Sequence, residues 1–429
     1  MKRTMIKALQ TKENQVVKVS GWVHRIRKLK SVVFVILRDR SGLVQLIMSP
    51  ESFKKTSLKL EAVIEVTGKV ASSPNKYGPF EIHVESLNLL SEVEEDLPLQ
   101  INGDKVDSGL ESILNHRVLS LRHSHESAIF KIQAAIGQAF ESFLREADFI
   151  QIHTPKLVKE GAEGGSNVFS LDYFGETAYL AQSPQFYKQM MVASGLERVF
   201  EIGSVFRAES HSTSRHLNEY ISLDLEMGFI ECESELMDLE TQLLKHIMDH
   251  LQAQCLHELE LLSVTLPQVP SQIPTLKLSE AIEILKSEYG KTELEGDLDP
   301  EGEKMIAEHI FNTTGSDFVF LTHYPRSKRP MYTLPAGETE THSFDLLFKG
   351  LEITTGGLRI HTYKHLVDSM INKGLAPENY KAYLETFKYG APPHGGLAIG
   401  LERLTAQLLG LKNVRRASLF PRDCNRLTP

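Results

Sequence analysis

Apolar and polar residues alternate along several short stretches near the N-terminus. The alternation predicts strands with one buried face, and turn residues at Arg38–Gly42 separate two of these strands. Strand patterns cover residues 16–23, 32–37, 43–47, 62–70 and 80–90, and a helix pattern covers 50–60. About five strands with one short helix favour an OB-type β-barrel over residues 1–98, with an SH3-like barrel as the structural alternative.

The hydrophobic pattern changes to a helical period further along the chain. Apolar residues at three- or four-residue spacing predict a long amphipathic helix over residues 128–147. Strands and helices then follow without a regular βαβ rhythm, so we predict an α+β domain over residues 128–429, whose largely antiparallel sheet is flanked by helices. Residues 99–127 follow an acidic stretch and are predicted to link the two domains.

Charge is distributed unevenly along the 429 residues. The whole chain has a net charge of −9, yet residues 1–90 contain 16 Lys or Arg and only 7 Asp or Glu. A basic module on an acidic remainder indicates a polyanionic partner. The chain has no apolar run of about 18 residues and no secretory signal pattern, so we expect a cytoplasmic protein that does not enter a membrane. The three cysteines are far apart and indicate neither a disulfide framework nor a thiolate metal site.

Candidate chemistry is concentrated in residues 200–230. Two strand-like runs flank a polar loop that contains Arg207, Arg215 and His216. Such a hairpin holds one arginine on a rigid strand and supplies further cations from the loop, which suits a polyphosphate whose phosphorus is attacked. Taken alone, the pattern is more typical of a charged surface hairpin.

A glycine-rich run, Gly395–Leu404, is predicted to form a strand that leads into a helix carrying Arg403. Glycines let a ligand lie against the strand. The sequence contains neither a G-x-x-x-x-G-K-[ST] loop nor a G-x-G-x-x-G pattern, and it lacks H-x-G-H with a later K-M-S-K-S. A bound nucleotide would therefore be held by arginines rather than by a glycine cradle.

These motifs together resemble those of the class II aminoacyl-tRNA synthetases, and in particular the aspartyl-tRNA synthetases of the short archaeal type. The resemblance covers nearly the whole chain. The first motif matches the long helix and Phe149–Pro155, the second matches Phe206–Glu219, and the third matches Gly396–Arg403. The resemblance implies an OB-fold anticodon-binding domain followed by a class II catalytic domain, and a homodimer. The chain differs from the family pattern at two positions. Ala398 lies where glycine is common, and Leu358 lies where glutamine is common.

The resemblance implies a site for a bent ATP. Arg207 would bind the α-phosphate, Arg215 and His216 the outer phosphates, and Arg403 the γ-phosphate, with Tyr220 stacked on adenine. Arg207 and Arg403 are the implied catalytic residues. The implied ATP-binding residues are Arg207, Glu209, Arg215, His216, Leu217, Tyr220, Glu352, Gly400 and Arg403. Glu352 and Thr355 are the implied ligands of Mg²⁺, which prefers oxygen donors.

The resemblance also implies an aspartate pocket in which Lys188 and Arg359 pair with the side-chain carboxylate. Asp224 and Glu163 would hold the ammonium and neighbouring polar groups. A site that pairs a carboxylate rejects the neutral amide, because its buried cations would remain unpaired. The implied aspartate-binding residues are Glu163, Ser183, Gln185, Lys188, Asp224, Thr355 and Arg359.

In the N-terminal module, the resemblance implies that Phe34 stacks on an anticodon base and that Gln45 and Glu81 read base edges. Nearby basic residues would contact phosphates. His24 and Pro79 resemble the residues of relatives that charge both tRNA(Asp) and tRNA(Asn), so we expect a non-discriminating enzyme.

Three alternatives remain at this stage. An asparaginyl-tRNA synthetase is the nearest one, and an aspartate-activating ligase outside translation is another. The third is a non-catalytic RNA-binding relative, which we would expect to have lost arginines such as Arg207 and Arg403.

Overall fold

The computed structural model describes residues 1–161, 167–210, 213–294 and 296–429. The chain divides into two compact units, Met1–Gly109 and Leu110–Pro429, which are described separately. The division falls inside the stretch predicted to be a linker. Among the described helices, none has both the length and the apolar character that crossing a bilayer requires.

The first unit is built on a closed barrel whose strand order is β1-β2-β3-β5-β4. Adjacent strands pair antiparallel except for β3 and β5, which are parallel. The barrel strands are β1 (Val16–Lys28), β2 (Val33–Asp39), β3 (Gly42–Met48), β4 (Val63–Asn75) and β5 (Gly78–Ser91), and helix α1 (Pro50–Lys54) follows β3.

The alternation seen in the sequence fills this barrel. Val17, Val19 and Val23 point into the core of the unit from one face of β1, while its basic C-terminal end is exposed. The strand β1 extends to Lys28, beyond the strand pattern of residues 16–23, so the basic residues 25–28 belong to the strand. Helix α1 is also shorter than predicted.

The second unit contains a sheet with the order β12-β13-β16-β17-β18-β11-β10-β6 in the described residues. Its pairs are antiparallel except at the two edges, where β12 with β13 and β10 with β6 are parallel. The strands of the unit are β6 (Ile150–Gln151), β7 (Leu157–Val158), β8 (Ser170–Tyr173), β9 (Glu176–Leu180), β10 (Arg198–Phe206), β11 (Glu219–Gly228), β12 (Thr275–Lys277), β13 (Phe318–Thr322), β14 (Pro335–Ala336), β15 (Glu340–Thr341), β16 (Ser343–Phe348), β17 (Leu351–Arg359) and β18 (His394–Gly400).

Helices cover this sheet, and the predicted α+β architecture is confirmed. The long predicted helix is α4, and its apolar face packs on the sheet in the main core together with α6 and α12. The helices are α2 (Leu110–Asn115), α3 (Arg117–Ser120), α4 (Ser124–Glu146), α5 (Gln185–Met191), α6 (Glu233–Gln254), α7 (Leu256–Leu262), α8 (Leu278–Tyr289), α9 (Pro300–Thr314), α10 (Tyr363–Asn372), α11 (Lys381–Lys388) and α12 (Leu401–Leu408).

Candidate active site

A cavity of about 560 Å³ lies in the second unit, against strands β11, β17 and β18. Most of the residues predicted from the sequence line it, although they come from distant parts of the chain. The predicted residues in its lining are Ser183, Gln185, Arg207, Glu209, Arg215, His216, Leu217, Tyr220, Asp224, Glu352, Thr355, Arg359, Gly400 and Arg403. Glu163 lies outside the described residues, and Lys188 is buried behind the lining.

The second motif is a hairpin of β10 and β11 whose last pair is Phe206 with Glu219. Asn218, at the end of the intervening loop, closes it by bonding to residues at its start. Its backbone oxygen accepts from the Arg207 N–H at 2.9 Å, and its side-chain amide donates to Arg207 O at 2.6 Å and to Glu209 O at 2.9 Å. Arg207 is therefore fixed at the point where the strand enters the loop.

Two further arginines are held close to one another at this end of the cavity. Arg403, in the first turn of α12, donates from Nε to Arg215 O and from Nη1 to Glu352 O, both at 3.2 Å. Arg215 Nη2 in turn lies 2.5 Å from Glu303 Oε2 on α9. Burial raises the pKa of Glu303 to about 7, against the opposing effect of Arg215. The arrangement concentrates positive charge where the motif was predicted to hold phosphates.

His216 and Tyr220 both line the cavity, but they make different contacts there. Burial lowers the pKa of His216, and the nearby Arg403 lowers it further, so the imidazole is neutral at pH 7 and retains one N–H donor. Its Nδ1 lies 2.6 Å from Thr213 Oγ1. The guanidinium of Arg207 lies over the Tyr220 ring, 5.8 Å from its centroid.

Glu352 and Thr355, the predicted metal ligands, both face the cavity from β17. Thr355 Oγ1 donates to Glu352 Oε1 at 3.1 Å. Burial alone would raise the pKa of Glu352, but Arg403 and Arg329 outweigh it and hold that pKa below its usual value. The two oxygens are hard donors of the kind Mg²⁺ prefers. The described residues contain no group of three acidic, histidine or cysteine side chains able to hold a metal alone, so further ligands would have to come from phosphate and water.

The floor of the pocket contains two cations and two carboxylates in direct contact. Lys188 is fully buried, and its Nζ lies 2.8 Å from Asp224 Oδ1 and 3.4 Å from Glu226 Oε2. Arg359 donates from Nε to Glu226 Oε1 at 2.9 Å and from Nη2 to Gln185 Oε1 at 3.3 Å. Lys188 therefore supports Asp224 and Glu226 from below, which differs from the predicted direct contact with substrate.

Strand β18 passes very close to this cluster. A Cβ atom on Gly396 would lie 2.1 Å from Glu226 Oε2 and 2.2 Å from Leu225 O, so only glycine fits. The two departures from the family pattern take different positions: Ala398 lines the cavity, and Leu358 is buried in the main core.

In the first unit, the predicted base readers are neighbours. Gln45 and Glu81 pair across β3 and β5, and Gln45 Nε2 donates to Glu81 Oε2 at 3.1 Å. Phe34 is half-buried on β2, and Pro79 is exposed. His24 Nδ1 lies 3.2 Å from Arg38 Nη1.

Sequence reasoning missed three charged residues that the structure brings to the cavity region. Glu226 lies two residues after Asp224 and faces the same side of β11, so the alternation of the strand could have indicated it. Arg329 pairs with Asp345 at 2.8 Å, and Glu303 pairs with Arg215. Both Arg329 and Glu303 lie outside the recognised motifs, and no sequence signal marks them.

Comparison with known proteins agrees with this geometry. Residues 109–424 match the family described as tRNA synthetases class II (D, K and N), and residues 17–90 match the OB-fold nucleic acid binding domain, which excludes the SH3-like alternative.

Among its relatives is the aspartate--tRNA(Asp/Asn) ligase of Deinococcus radiodurans, 48% identical over 100% of this chain and 99% of that protein. The protein of the same name from Thermus thermophilus is 46% identical over the full length of both chains. The crystal structure of asparaginyl-tRNA synthetase from Pyrococcus horikoshii, complexed with asparaginyl-adenylate, superposes with a TM-score of 0.93 at 28% identity over all of both chains. The chain belongs to the class II tRNA synthetases, and within them to the aspartyl-tRNA synthetase family of ATP-dependent aminoacyl-tRNA ligases.

Proposed function

We propose that this protein activates L-aspartate with ATP and transfers the aspartyl group to tRNA(Asp) and to tRNA(Asn). The observation that carries the proposal is the convergence of Arg207 and Arg403 on one cavity with the Glu226–Arg359 ion pair. The charges of Arg207 and Arg403 suit a triphosphate. Glu226 holds the Arg359 guanidinium in an orientation in which it can also bind a carboxylate ligand.

In the first step, an oxygen of the aspartate α-carboxylate attacks the α-phosphorus of ATP. The bond from that phosphorus to the bridging oxygen breaks, so aspartyl-adenylate forms and pyrophosphate leaves. Arg207 stabilises the charge that develops on the α-phosphoryl oxygens, while Arg215 and Arg403 hold the outer phosphates. Positioning and charge stabilisation suffice, because the attacking group is the substrate's own carboxylate.

In the second step, a hydroxyl of the terminal ribose of tRNA attacks the activated carbonyl. The aspartyl ester forms, AMP leaves, and the hydroxyl proton passes to solvent or to the departing phosphate.

In the first step, Mg²⁺ held by Glu352, Thr355 and phosphate oxygens would neutralise part of the triphosphate charge.

Specificity for aspartate follows from the charge of the floor cluster. Lys188, Arg359, Asp224 and Glu226 form a compensated set in which Glu226 fixes the direction of the Arg359 guanidinium. A side-chain carboxylate brought against Arg359 gains a charge-assisted pair that a neutral amide does not provide. Asparagine remains the alternative amino acid, because the superposed Pyrococcus horikoshii enzyme has the same fold.

The proposal that both tRNAs are substrates is supported by the names of the Deinococcus radiodurans and Thermus thermophilus relatives. The first unit supplies the binding surface: Arg25, Arg27 and Lys28 are exposed at the C-terminal end of β1, and half-buried Phe34 pairs with Arg27 across β1 and β2. Cations for phosphates beside an aromatic ring for a base are the elements of single-strand recognition. We also propose a homodimer, which sedimentation would test.

Arg207→Ala tests the activation step. We expect aspartate-dependent exchange of pyrophosphate into ATP to fall by a factor on the order of 10² to 10³, as when one preorganised donor to a transition-state oxyanion is removed. Binding of tRNA, measured by filter retention, should stay close to that of the wild type because the barrel is unchanged. Exchange at the wild-type rate in the folded variant would refute the role of Arg207, and exchange with asparagine in place of aspartate would refute the choice of amino acid.

A further inference from the structure

A segment near the C-terminus, residues 414–422, is held by an arginine that no catalytic motif contains. We call this segment the C-terminal brace. Arg117, in α3, is only 1% exposed, and its guanidinium donates to three backbone carbonyls of the brace. These bonds are Nε to Leu419 O at 3.0 Å, and Nη2 to Arg416 O and to Ser418 O, both at 2.9 Å.

Helix α4 completes the attachment. Gln133 Nε2 donates to Ala417 O at 2.6 Å, so four consecutive carbonyls of the brace each accept a side-chain hydrogen bond. Glu126, also on α4, accepts from Arg117 Nη1 at 3.3 Å and pairs with Arg416 of the brace. The charge of Arg117 is thus compensated, and its remaining donors are directed to the brace backbone.

Both ends of the brace bond to the loop that joins β10 to β11. We call residues 207–218 the phosphate loop, and the structure describes all of them except residues 211 and 212. Val414 N donates to Ser214 O at 2.8 Å, and Asn218 N donates to Arg422 O at 2.8 Å. The brace therefore contacts the phosphate loop on either side of Arg215.

Apolar packing strengthens the same contact. Leu217 is 6% exposed and packs with Val414 and Ala417 of the brace and with Ala406 of α12. Asn218, which rests on the brace, is also the residue that fixes the Arg207 backbone. Hydrogen bonds and the backbone of the brace therefore connect α3 to Asn218, which fixes Arg207, and to Ser214, the neighbour of Arg215.

From this geometry we infer that Arg117 is a positioning residue for the triphosphate of ATP. It fixes the brace, and the brace fixes the loop that carries Arg207 and Arg215. The inference rests on the proposed function, since it takes these arginines to be ATP ligands. A polar loop loses conformational entropy when it closes on a ligand, and a loop already fixed by the brace loses less, so ATP binds more tightly.

Arg117→Lys separates this role from simple stabilisation. Lysine keeps the charge but cannot reproduce a planar fork directed to three carbonyls. We expect the KM for ATP in aspartate-dependent pyrophosphate exchange to rise about tenfold, as for loss of one or two hydrogen bonds to a charged group, while the KM for aspartate changes less than about twofold. A folded variant in which both constants stay at wild-type values, or rise equally, overturns the inference.

A second pair of variants applies if Arg117→Lys does not fold. Gln133→Met removes only the bond to Ala417 O from a half-buried position, and Gln138→Met alters an exposed residue on the same helix as the matched control. We expect Gln133→Met to weaken ATP binding about threefold and Gln138→Met to leave it unchanged. Equal ATP affinity in the two variants overturns the inference.

Direct titration of ATP without aspartate keeps this test apart from the test of function. A wild-type protein that binds ATP but shows no exchange with aspartate refutes the amino-acid assignment, and the ATP affinities of the variants still decide the role of Arg117. A wild type that binds no ATP refutes both.

Discussion

Buried carboxylates in the second unit differ in whether a cation compensates them. Glu226 contacts both Arg359 and Lys188, so its charge is retained: burial would raise its pKa, but Arg359 and Lys188 together hold it below the usual value. Glu240, on α6 behind β17, is fully buried and accepts a hydrogen bond from Thr354 Oγ1 at 2.6 Å. Burial raises the pKa of Glu240 to about 8, against the weaker opposing effect of that bond, so Glu240 is protonated at pH 7.

Glu240→Gln should therefore remove a pH dependence of stability. Above its unfolded pKa near 4.5, the unfolded chain releases this proton while the folded protein keeps it until about pH 8. The free energy of unfolding of the wild type should then fall between pH 5 and 8, by an amount on the order of a few kcal/mol, relative to the variant. Urea unfolding at several pH values measures the difference in slope.

The control for this comparison is Glu283→Gln, which changes an exposed glutamate on α8 and should keep the wild-type slope. Parallel curves for the wild type and Glu240→Gln across pH 5 to 8 would contradict the protonated state of Glu240.

At the scale of the elements, the spacing between β11 and β18 determines the shape of the pocket floor. Gly396 O accepts from Arg359 Nη2 at 3.0 Å, and the missing side chain of Gly396 leaves room for the Glu226 carboxylate. Strand β18 therefore accepts a hydrogen bond from Arg359 and, at the same residue, leaves room for the Glu226 side chain.

Gly396→Ala should damage the aspartate pocket first. The new methyl group would lie 2.1 Å from Glu226 Oε2 and 2.2 Å from Leu225 O, and the backbone contact cannot be relieved by a rotamer change. We expect a loss of about 1 to 3 kcal/mol in unfolding free energy and a higher KM for aspartate, because Glu226 no longer directs Arg359. Gly137→Ala on α4, where no atom lies within 4 Å of the new Cβ, is the control. An unchanged KM for aspartate in Gly396→Ala would show that the pocket does not depend on this close approach.

The same elements show what the sequence could predict. Helix α4 and the hairpin of β10 and β11 were predicted because their signals are local: a helical period in one case, and two strand runs around a polar loop in the other. The burial of Lys188 was not predicted, because this residue of helix α5 depends on Asp224 and Glu226 of strand β11, which lie more than 30 positions later in the chain. Arg117 gave no signal for a similar reason, since its carbonyl partners lie about 300 positions later in the chain. Motifs thus predict which residues share a site, whereas the partners that fix them depend on the tertiary structure.

At the scale of the whole molecule, the two units carry different chemistry. The cavity and its arginines belong to Leu110–Pro429, and the basic end of β1 belongs to Met1–Gly109, as do Gln45 and Glu81, which we propose as base readers. Amino-acid activation and the choice of tRNA should therefore respond to different substitutions. The anticodons of tRNA(Asp) and tRNA(Asn) differ at one base, cytosine against uracil, which replaces an amino donor by a carbonyl acceptor. We propose that the choice between them is made at the barrel surface.

His24→Trp tests whether this surface accepts both tRNAs. His24 is half-buried on β1, its backbone oxygen accepts from Asn102 Nδ2 at 2.5 Å, and its ring contacts Arg38. A larger indole in the same place would narrow the surface and displace Arg38, while the backbone contact would remain.

We expect the wild type to attach aspartate to both transcripts. The variant should lose charging of tRNA(Asn) more than that of tRNA(Asp), and its pyrophosphate exchange should be unchanged because the cavity is in the other unit. Parallel aminoacylation of the two transcripts measures this ratio. Equal losses for both tRNAs would mean that position 24 contributes affinity without specificity, and a wild type that charges tRNA(Asp) alone would refute the non-discriminating assignment.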